Sequence, residues 1–311
     1  MDLMLLQETF QGKEHIVMQM DRITDTVIIG NPNSGRAGSK NYLERYAKVL
    51  RAGGLEVEVL NTEHPNHATD LAALAGDRLV IAAGGDGTVN EVINGLSENA
   101  TLGILPLGTA NVLARELSLP QDFKGSCERI LEGNNSRIDL GVATDRDGVE
   151  RRFACMAGVG FDASVVRTMT PRLKRYLRIL SFPLMGVKVL MEQDLPSVHV
   201  IEGDTTYVSQ FAIIANGHYY GGDFRVSGPG SLTSGELEAI LVERVSVLLR
   251  PDILARILAR EPLNRSMRSF GAKEIRARAP GANVPVQLDG EVWGRLPMSF
   301  RIEPQTLRVI R

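Results

Sequence analysis

Apolar and polar positions follow two different textures along the chain, and the change falls near Arg137. In the first half one unit recurs: an apolar run, a glycine-rich stretch, then an amphipathic segment. Thr26 to Gly30 (TVIIG) leads through NPNSGRAGS into 40–52, where Leu43, Tyr46, Ala47 and Leu50 recur at the spacing of one helix face. Gly53-Gly54 stops that helix, and 55–60 alternates as a strand does. A short helix over 68–75 follows, then a buried strand over 79–83 that runs into GGDGT. A strand over 102–105 runs into PLGTAN and a helix over 112–117. Strands alternating with helices pair in parallel through right-handed crossovers, which predicts a Rossmann-like α/β domain. Ligands of such sheets sit beyond the carboxyl ends of the strands, where all three loops fall.

Beyond Arg137 the runs are short, β-rich and separated by turns: 152–156, 197–201, 210–215, 237–242, 274–279 and 284–288. They predict an antiparallel β-sandwich domain with little regular helix. At 43% hydrophobic and 23% charged residues the chain has the composition of a globular protein that buries a sizeable core. A net charge of −2 supplies no electrostatic footprint for nucleic acid. Cys127 and Cys155 form no CxxC, so neither a zinc site nor a disulfide framework is expected, and a reducing cytoplasm fits. No run reaches the ~18 apolar residues of a transmembrane helix, and 1–20 lacks the apolar core of a secretion signal. Membrane contact is therefore expected to be peripheral.

The chemistry concentrates at Gly84-Gly85-Asp86-Gly87-Thr88, where a strand hands over to a helix. Glycines there permit left-handed backbone and close approach of a phosphate, while the helix start offers unpaired amides and a positive dipole end. Asp86 would repel phosphate, so it suits Mg²⁺, a magnesium-bound water or ribose. Thr88 and Glu91 also fit a Thr-x-x-Glu capping box. Known fingerprints are missing: no G-x-G-x-x-G opens a helix, and Arg36-Ala37 stands where a P-loop beginning at Gly30 needs Lys-Ser/Thr.

N-P-N-S-G at 31–35, G-G-D-G-T-V-N-E-V-I-N-G-L at 84–96 and P-L-G-T-A-N-V-L-A-R-E-L at 106–117 together resemble the diacylglycerol kinase catalytic-domain family. That family includes bacterial lipid kinases and sphingosine and ceramide kinases. The resemblance continues through R-I-D-L-G at 137–141, G-V-G-F-D-A at 158–163, N-G-H-Y-Y-G-G at 216–222 and Q-L-D-G-E at 287–291. It implies an N-terminal extension over 1–24, a nucleotide domain over 25–136 completed by 300–311, and a β-sandwich domain over 137–299, with ATP in the cleft. The implied ATP-site residues are Asn31, Pro32, Asn33, Ser34, Gly35, Thr62, Gly84, Gly85, Asp86, Gly87, Thr88, Val89, Asn90, Glu91, Thr109 and Asn111. Arg36 would add charge to the phosphates, and Asp86 is the candidate Mg²⁺ ligand.

In the second domain the resemblance implies a catalytic carboxylate at Asp289, with Glu291 as its neighbour or alternate. Transfer from ATP to an alcohol needs an in-line hydroxyl, a metal on the phosphates and a proton acceptor, and Asp289 is the expected general base. On a β-strand, positions 289 and 291 would share one face. Two positions depart from the family pattern. Val112 stands where many members have Asp, and Ser234 stands where bacterial members often have a structural Mg²⁺ ligand. A hydroxyl is a poorer ligand than a carboxylate for a hard cation.

Between Ala163 and Met191 there are six basic residues and no acidic one. Pro171 can open a helix with Leu173, Tyr176, Leu177 and Leu180 on one face, so 167–190 is a candidate contact with anionic lipid; a core-packed helix with a solvated basic face is the plainer reading. His218, Tyr219 and Tyr220 precede Gly221-Gly222 in an expected loop, where they either border an acyl chain or pack. The expected activity is ATP-dependent phosphorylation of a membrane lipid. A soluble-substrate kinase of the NAD kinase type and a non-catalytic nucleotide- or lipid-binding homologue are the competing readings. A homodimer stays open.

Overall fold

The structure is a computed structural model that describes residues 25–30, 42–160, 196–220, 224–227, 232–244, 246–247, 250–259, 261–262, 267–281 and 283–311. The stretch 1–24, the NPNSGR segment at 31–36 and the basic segment at 167–190 lie outside the described residues. The order of elements is β1 (Asp25–Gly30), α1 (Tyr42–Ala52), β2 (Glu56–Asn61), α2 (His67–Ala75), β3 (Leu79–Gly84), α3 (Asp86–Gly95), β4 (Thr101–Pro106), α4 (Val112–Glu116) and α5 (Phe123–Glu132). Then come β5 (Asn135–Asp145), β6 (Glu150–Phe153), β7 (Met156–Gly160), β8 (Val198–Glu202), β9 (Thr205–Ser209), β10 (Phe211–Ala215), β11 (Tyr219–Tyr220), β12 (Phe224–Arg225) and β13 (Leu237–Val242). The chain ends through α6 (Pro251–Leu258), β14 (Arg268–Ala272), β15 (Glu274–Arg278), β16 (Pro285–Leu288), β17 (Glu291–Arg295) and β18 (Met298–Ile310).

Two compact units divide the chain. Unit 1 holds 25–109, 117–136 and 307–311 of the described sequence, and unit 2 holds 110–116 with 137–306. The sequence expectation puts Ala110–Glu116 in the first domain and starts its returning strand at 300. The helix α4 instead packs on β11, and Glu116 bonds the backbone of Tyr219, which ties it to unit 2.

Unit 1 is a parallel sheet in the order β2-β1-β3-β4, with 308–309 of β18 pairing parallel to β4. Runs such as VIIG and LVIAAG are buried along their length, as a sheet covered on both faces requires. Its core joins Ile28, Ile81 and Leu105 of the sheet to Leu43, Tyr46 and Leu50 of α1 and to Cys127 and Ile130 of α5. The chain steps from β1 to β2 on one side and to β3 on the other, so the strand order reverses at the carboxyl ends of β1 and β3.

Unit 2 contains an antiparallel sheet in the order β14-β13-β10-β7-β16-β17. A second antiparallel group pairs β9, β8, β15 and the start of β18. One core cluster takes Val159, Ile214, Ala239 and Val286 from the first and Val198, Val200, Ile275 and Phe300 from the second. Apolar residues from two sheets meeting in one core make a β-sandwich. The run at 152–156 is not one strand. It is divided between β6 and β7 at Ala154-Cys155, for a reason that lies in the site.

Gly95 closes α3 against α2: a Cβ there would overlap the carbonyl oxygen of Thr69 and lie 2.9 Å from Ala72 Cβ. Alanine in place of glycine within a helix ordinarily gains about 0.5–1 kcal/mol. A contact with rigid backbone costs more than that gain, so Gly95→Ala should destabilise unit 1 by about 1–3 kcal/mol, read from the denaturant midpoint.

Cys127 and Cys155 are both buried and neither is in a disulfide, and burial pushes the Cys127 thiol up to about 12. A raised value favours the folded state while the unfolded thiol stays protonated, below about pH 8.5, and that contribution disappears as pH climbs toward 12. Neither cysteine should react with a disulfide-exchange reagent at pH 8 in the native protein, and both should react in denaturant.

Candidate active site

In unit 1 the register brings the strand ends into line. Gly30 pairs with Asn61 on one side and Ala83 on the other, and Gly84 pairs with Pro106. The amide of Thr62 donates to Gly30 O at 2.9 Å, and Leu107 N donates to Gly84 O at 2.9 Å. Thr62, the GGDGT turn and the start of the PLGTAN loop therefore stand side by side beyond the sheet's carboxyl edge, with Thr109 exposed in the last.

Gly84 and Gly85 are not left-handed: neither has a positive φ, contrary to one reason the sequence suggests for them. Close approach is the reason that holds. A Cβ on Gly84 would overlap the Thr88 side chain, and one on Gly85 would come within 3.3 Å of Gly108 Cα. The N-cap of α3 is Gly85, which carries no side chain to occupy the amides of the first turn. Such a helix start attracts an anion.

The capping-box expectation fails on register. With Gly85 as N-cap, Thr88 sits at the third helical position, and Glu91 serves another helix by accepting from Ala68 N at 3.2 Å in the first turn of α2. Val89 and Asn90 are buried, so they pack α3 more than they face solvent. Asp86 opens the helix as its first-turn acid. Among the described residues no three His, Cys, Asp or Glu side chains gather to hold a metal.

In unit 2 the DGE segment is a hairpin turn. Asp289 (φ 46°) and Gly290 (φ 87°) form a two-residue turn between β16 and β17, and both positive φ values are what a type I′ turn demands. Asp289 and Glu291 thus do not alternate along one strand, as the sequence suggests. The Asp289 carboxylate turns back onto the chain. Its Oδ1 accepts from Cys155 N at 2.9 Å and Met156 N at 3.0 Å, and its Oδ2 accepts from Ala154 N at 2.8 Å. Charge-assisted bonds from three amides fix the β6–β7 junction and divide the predicted strand at 152–156. Glu291 is exposed, with its carboxylate 3.9 Å from the Arg151 guanidinium.

Two further carboxylates of unit 2 are buried and were not among the sequence candidates. Asp139, fully buried on β5, accepts from Gln305 N at 2.8 Å and Gly235 N at 2.7 Å. It closes the Leu232–Gly235 turn, where Ser234 bonds locally to Glu236 O. The visible signal was a lone acid inside the apolar run IDLGVA. Glu116 ends α4 with its side chain only 3% exposed, accepting from Tyr219 N and sitting 3.1 Å from His218 Nδ1. Asn111 opens the same helix with φ 48°, and its carbonyl accepts from Arg115 N.

A parallel α/β unit with a glycine-rich strand-to-helix turn at its switch point, followed in the chain by a β-sandwich unit, defines a two-unit kinase fold. Residues 25–143 match the diacylglycerol kinase catalytic domain, and 155–311 match the YegS C-terminal NAD kinase beta sandwich-like domain. A diacylglycerol kinase of Staphylococcus epidermidis is 29% identical over 287 residues, covering 88% of this chain and 87% of that protein. One of Bacillus subtilis is 28% identical over 288 residues, covering 88% and 91%. The crystal structure of a diacylglycerol kinase from Bacillus anthracis str. Sterne shares the fold, with a TM-score of 0.74 at 21% identity over 92% of this chain and 96% of that one. The chain belongs to the diacylglycerol kinase catalytic-domain family, and it is a lipid kinase, a phosphotransferase with an alcohol group as acceptor.

Asp139→Asn would turn an amide nitrogen toward N–H groups that now meet a charged acceptor. It should cost about 3 kcal/mol by denaturant unfolding.

Proposed function

We propose that the chain transfers the γ-phosphoryl group of ATP, carried with Mg²⁺, to the hydroxyl of a membrane lipid of diacylglycerol or sphingoid type. The observation that carries the nucleotide half is the paired approach of Gly85 and Gly108 beside the uncapped start of α3, at the switch point of a parallel sheet. Amides and a positive helix end bind phosphates there without a Walker lysine. ATP rests against Thr62, Gly84–Glu91 and Thr109 in this reading, with Asn31–Arg36 and Asn111 completing its surroundings and Asp86 toward the metal. Magnesium supplies charge neutralisation on the phosphates.

On the acceptor side the reading relies on the Asp289 hairpin. Its carboxylate holds 154–156 in place, and Glu291 adds an acid at the start of β17. The chain acts from the cytoplasmic face of the membrane, with 167–190 as the lipid-contacting segment. No helix among the described residues is long and apolar enough to cross a bilayer. The NAD kinase-like description of the matched second domain makes NAD the acceptor to test against lipid.

With γ-labelled ATP, magnesium, mixed lipids and NAD, label should appear in the organic phase. Label in NADP instead would decide for the soluble acceptor, and bound nucleotide without turnover would decide for a non-catalytic homologue. Gly85→Val, which puts a branched side chain against Gly108, should abolish nucleotide binding in a titration while leaving the melting temperature within a few degrees.

A further inference from the structure

Asn216 follows β10 directly and is 4% exposed, a polar residue at the end of the buried run FAIIA. Two bonds set the orientation of its amide: Nδ2 donates to Asp139 O at 2.9 Å and to Ala154 O at 2.7 Å. Turned the other way, the amide would bring an oxygen against two carbonyl oxygens. Its Oδ1 is buried and has no hydrogen-bond partner among the described residues. A buried acceptor left unpaired is a cost that the two Nδ2 bonds have to outweigh.

What those bonds hold is the break between β6 and β7. The sheet order sets β7 between β10 and β16, with Ala215 beside Met156 and Leu288 beside Ala157. The two flanking strands therefore deliver Asn216 and Asp289 to opposite sides of 154–156. From one side, Cys155 O accepts from Asn216 N at 2.8 Å and from Gly217 N at 2.9 Å, and Ala154 O accepts from Asn216 Nδ2. From the other, the Asp289 carboxylate takes the amides of Ala154, Cys155 and Met156, and Asp289 N donates to Met156 O at 2.9 Å. Each N–H and each C=O of the three residues thus has a partner, and the Asp289 turn is fixed where 154–156 is fixed.

We propose that Asn216 is a positioning residue for phosphoryl transfer: it sets 154–156, and through that segment the β16–β17 turn that carries Asp289 and Glu291. This rests on the reading of the chain as an ATP-dependent lipid kinase with its acceptor-side acids on that turn. The influence of Asn216 passes through backbone groups. Without Nδ2, Ala154 O and Asp139 O lose that donor, and the segment is held on that side by the main-chain bonds to Cys155 O alone. A displacement of about 1 Å at a reacting group is enough to lower a rate about 10²-fold.

Asn216→Ala in the full-length chain keeps the main-chain bonds to Cys155 O and removes both Nδ2 bonds. At a temperature where wild type and variant are both fully folded, kcat for lipid should fall about 10–100-fold while KM for ATP stays within about twofold. Trp293, the one tryptophan of the chain, lies two residues past Glu291 on β17 and packs against the sandwich core. Its quenching by acrylamide should increase in the native variant, because the strand that carries it starts at the displaced turn. A purely structural asparagine would lower the denaturant midpoint and leave both native-state readings at their wild-type values. If Asn216→Ala does not fold, Asn216→Ser, which keeps a short donor on the same side, carries the same comparison.

A folded variant with kcat within about threefold of wild type would overturn the proposal, and so would a fall in kcat with Trp293 quenching unchanged. In both cases the wild-type chain still phosphorylates lipid, so the underlying reading stands. A wild-type chain that transfers no label from ATP to lipid would refute that reading and this inference with it.

Discussion

A carboxylate drawn wholly or partly out of water has to be met by fixed donors, and unit 2 is laid out around three, Asp289 half-buried among them, that are met chiefly by backbone N–H groups. Asp139 gathers Gly235 and Gln305, so a turn and the last strand are held on β5. Asp289 gathers three successive amides at 154–156 and forces the chain to break between β6 and β7. Glu116 gathers Tyr219 and His218, which holds α4 against β11. None of these contacts is local in sequence, so each links segments that the sandwich core alone would leave free to slide. Each also has a strict geometry, because amides cannot reorient as side chains do.

Unit 1 solves a different problem. In the proposed reading its loops bring backbone close to a phosphate, and the means is steric absence. Gly84 admits the Thr88 side chain, Gly85 admits Gly108, and the parallel register sets both loops on one edge. Glycine there is a matter of space, whereas Gly290 in unit 2 is a matter of φ. The same residue type therefore stands in two motifs of one enzyme for unrelated physical reasons. Near the end of β18, Gln305, with φ 53°, turns the strand just before its last residues enter unit 1.

Much of the fold was legible because hydrophobic periodicity is local. The strand runs at 79–83, 102–105 and 237–242 and the helix ending at Ala52 follow directly from which positions are apolar. The helix α5 escaped that reading although its ends were written plainly, with Asp122 accepting from Gly125 N and Gly133 in a left-handed C-cap. Caps are a weaker signal than periodicity, and the face of α5 is narrow. The GGDGT and DGE segments stood out as candidate sites because their residue types suit phosphate and acid chemistry, but their neighbours in space were not legible.

By itself the sequence determined the class of the molecule: a parallel α/β unit, a β-rich unit after it, a glycine-rich strand-to-helix turn at Gly84–Thr88 and membership in a lipid kinase family. Those depend on short windows, where side-chain period and glycine spacing act directly. Only the tertiary structure decided what each acid does. Which amides meet Asp289, whether Glu91 caps its own helix or α2, and which histidine meets a buried carboxylate all depend on groups dozens to more than a hundred residues away. A carboxylate's role is set by the donors around it, and those donors are assembled by packing.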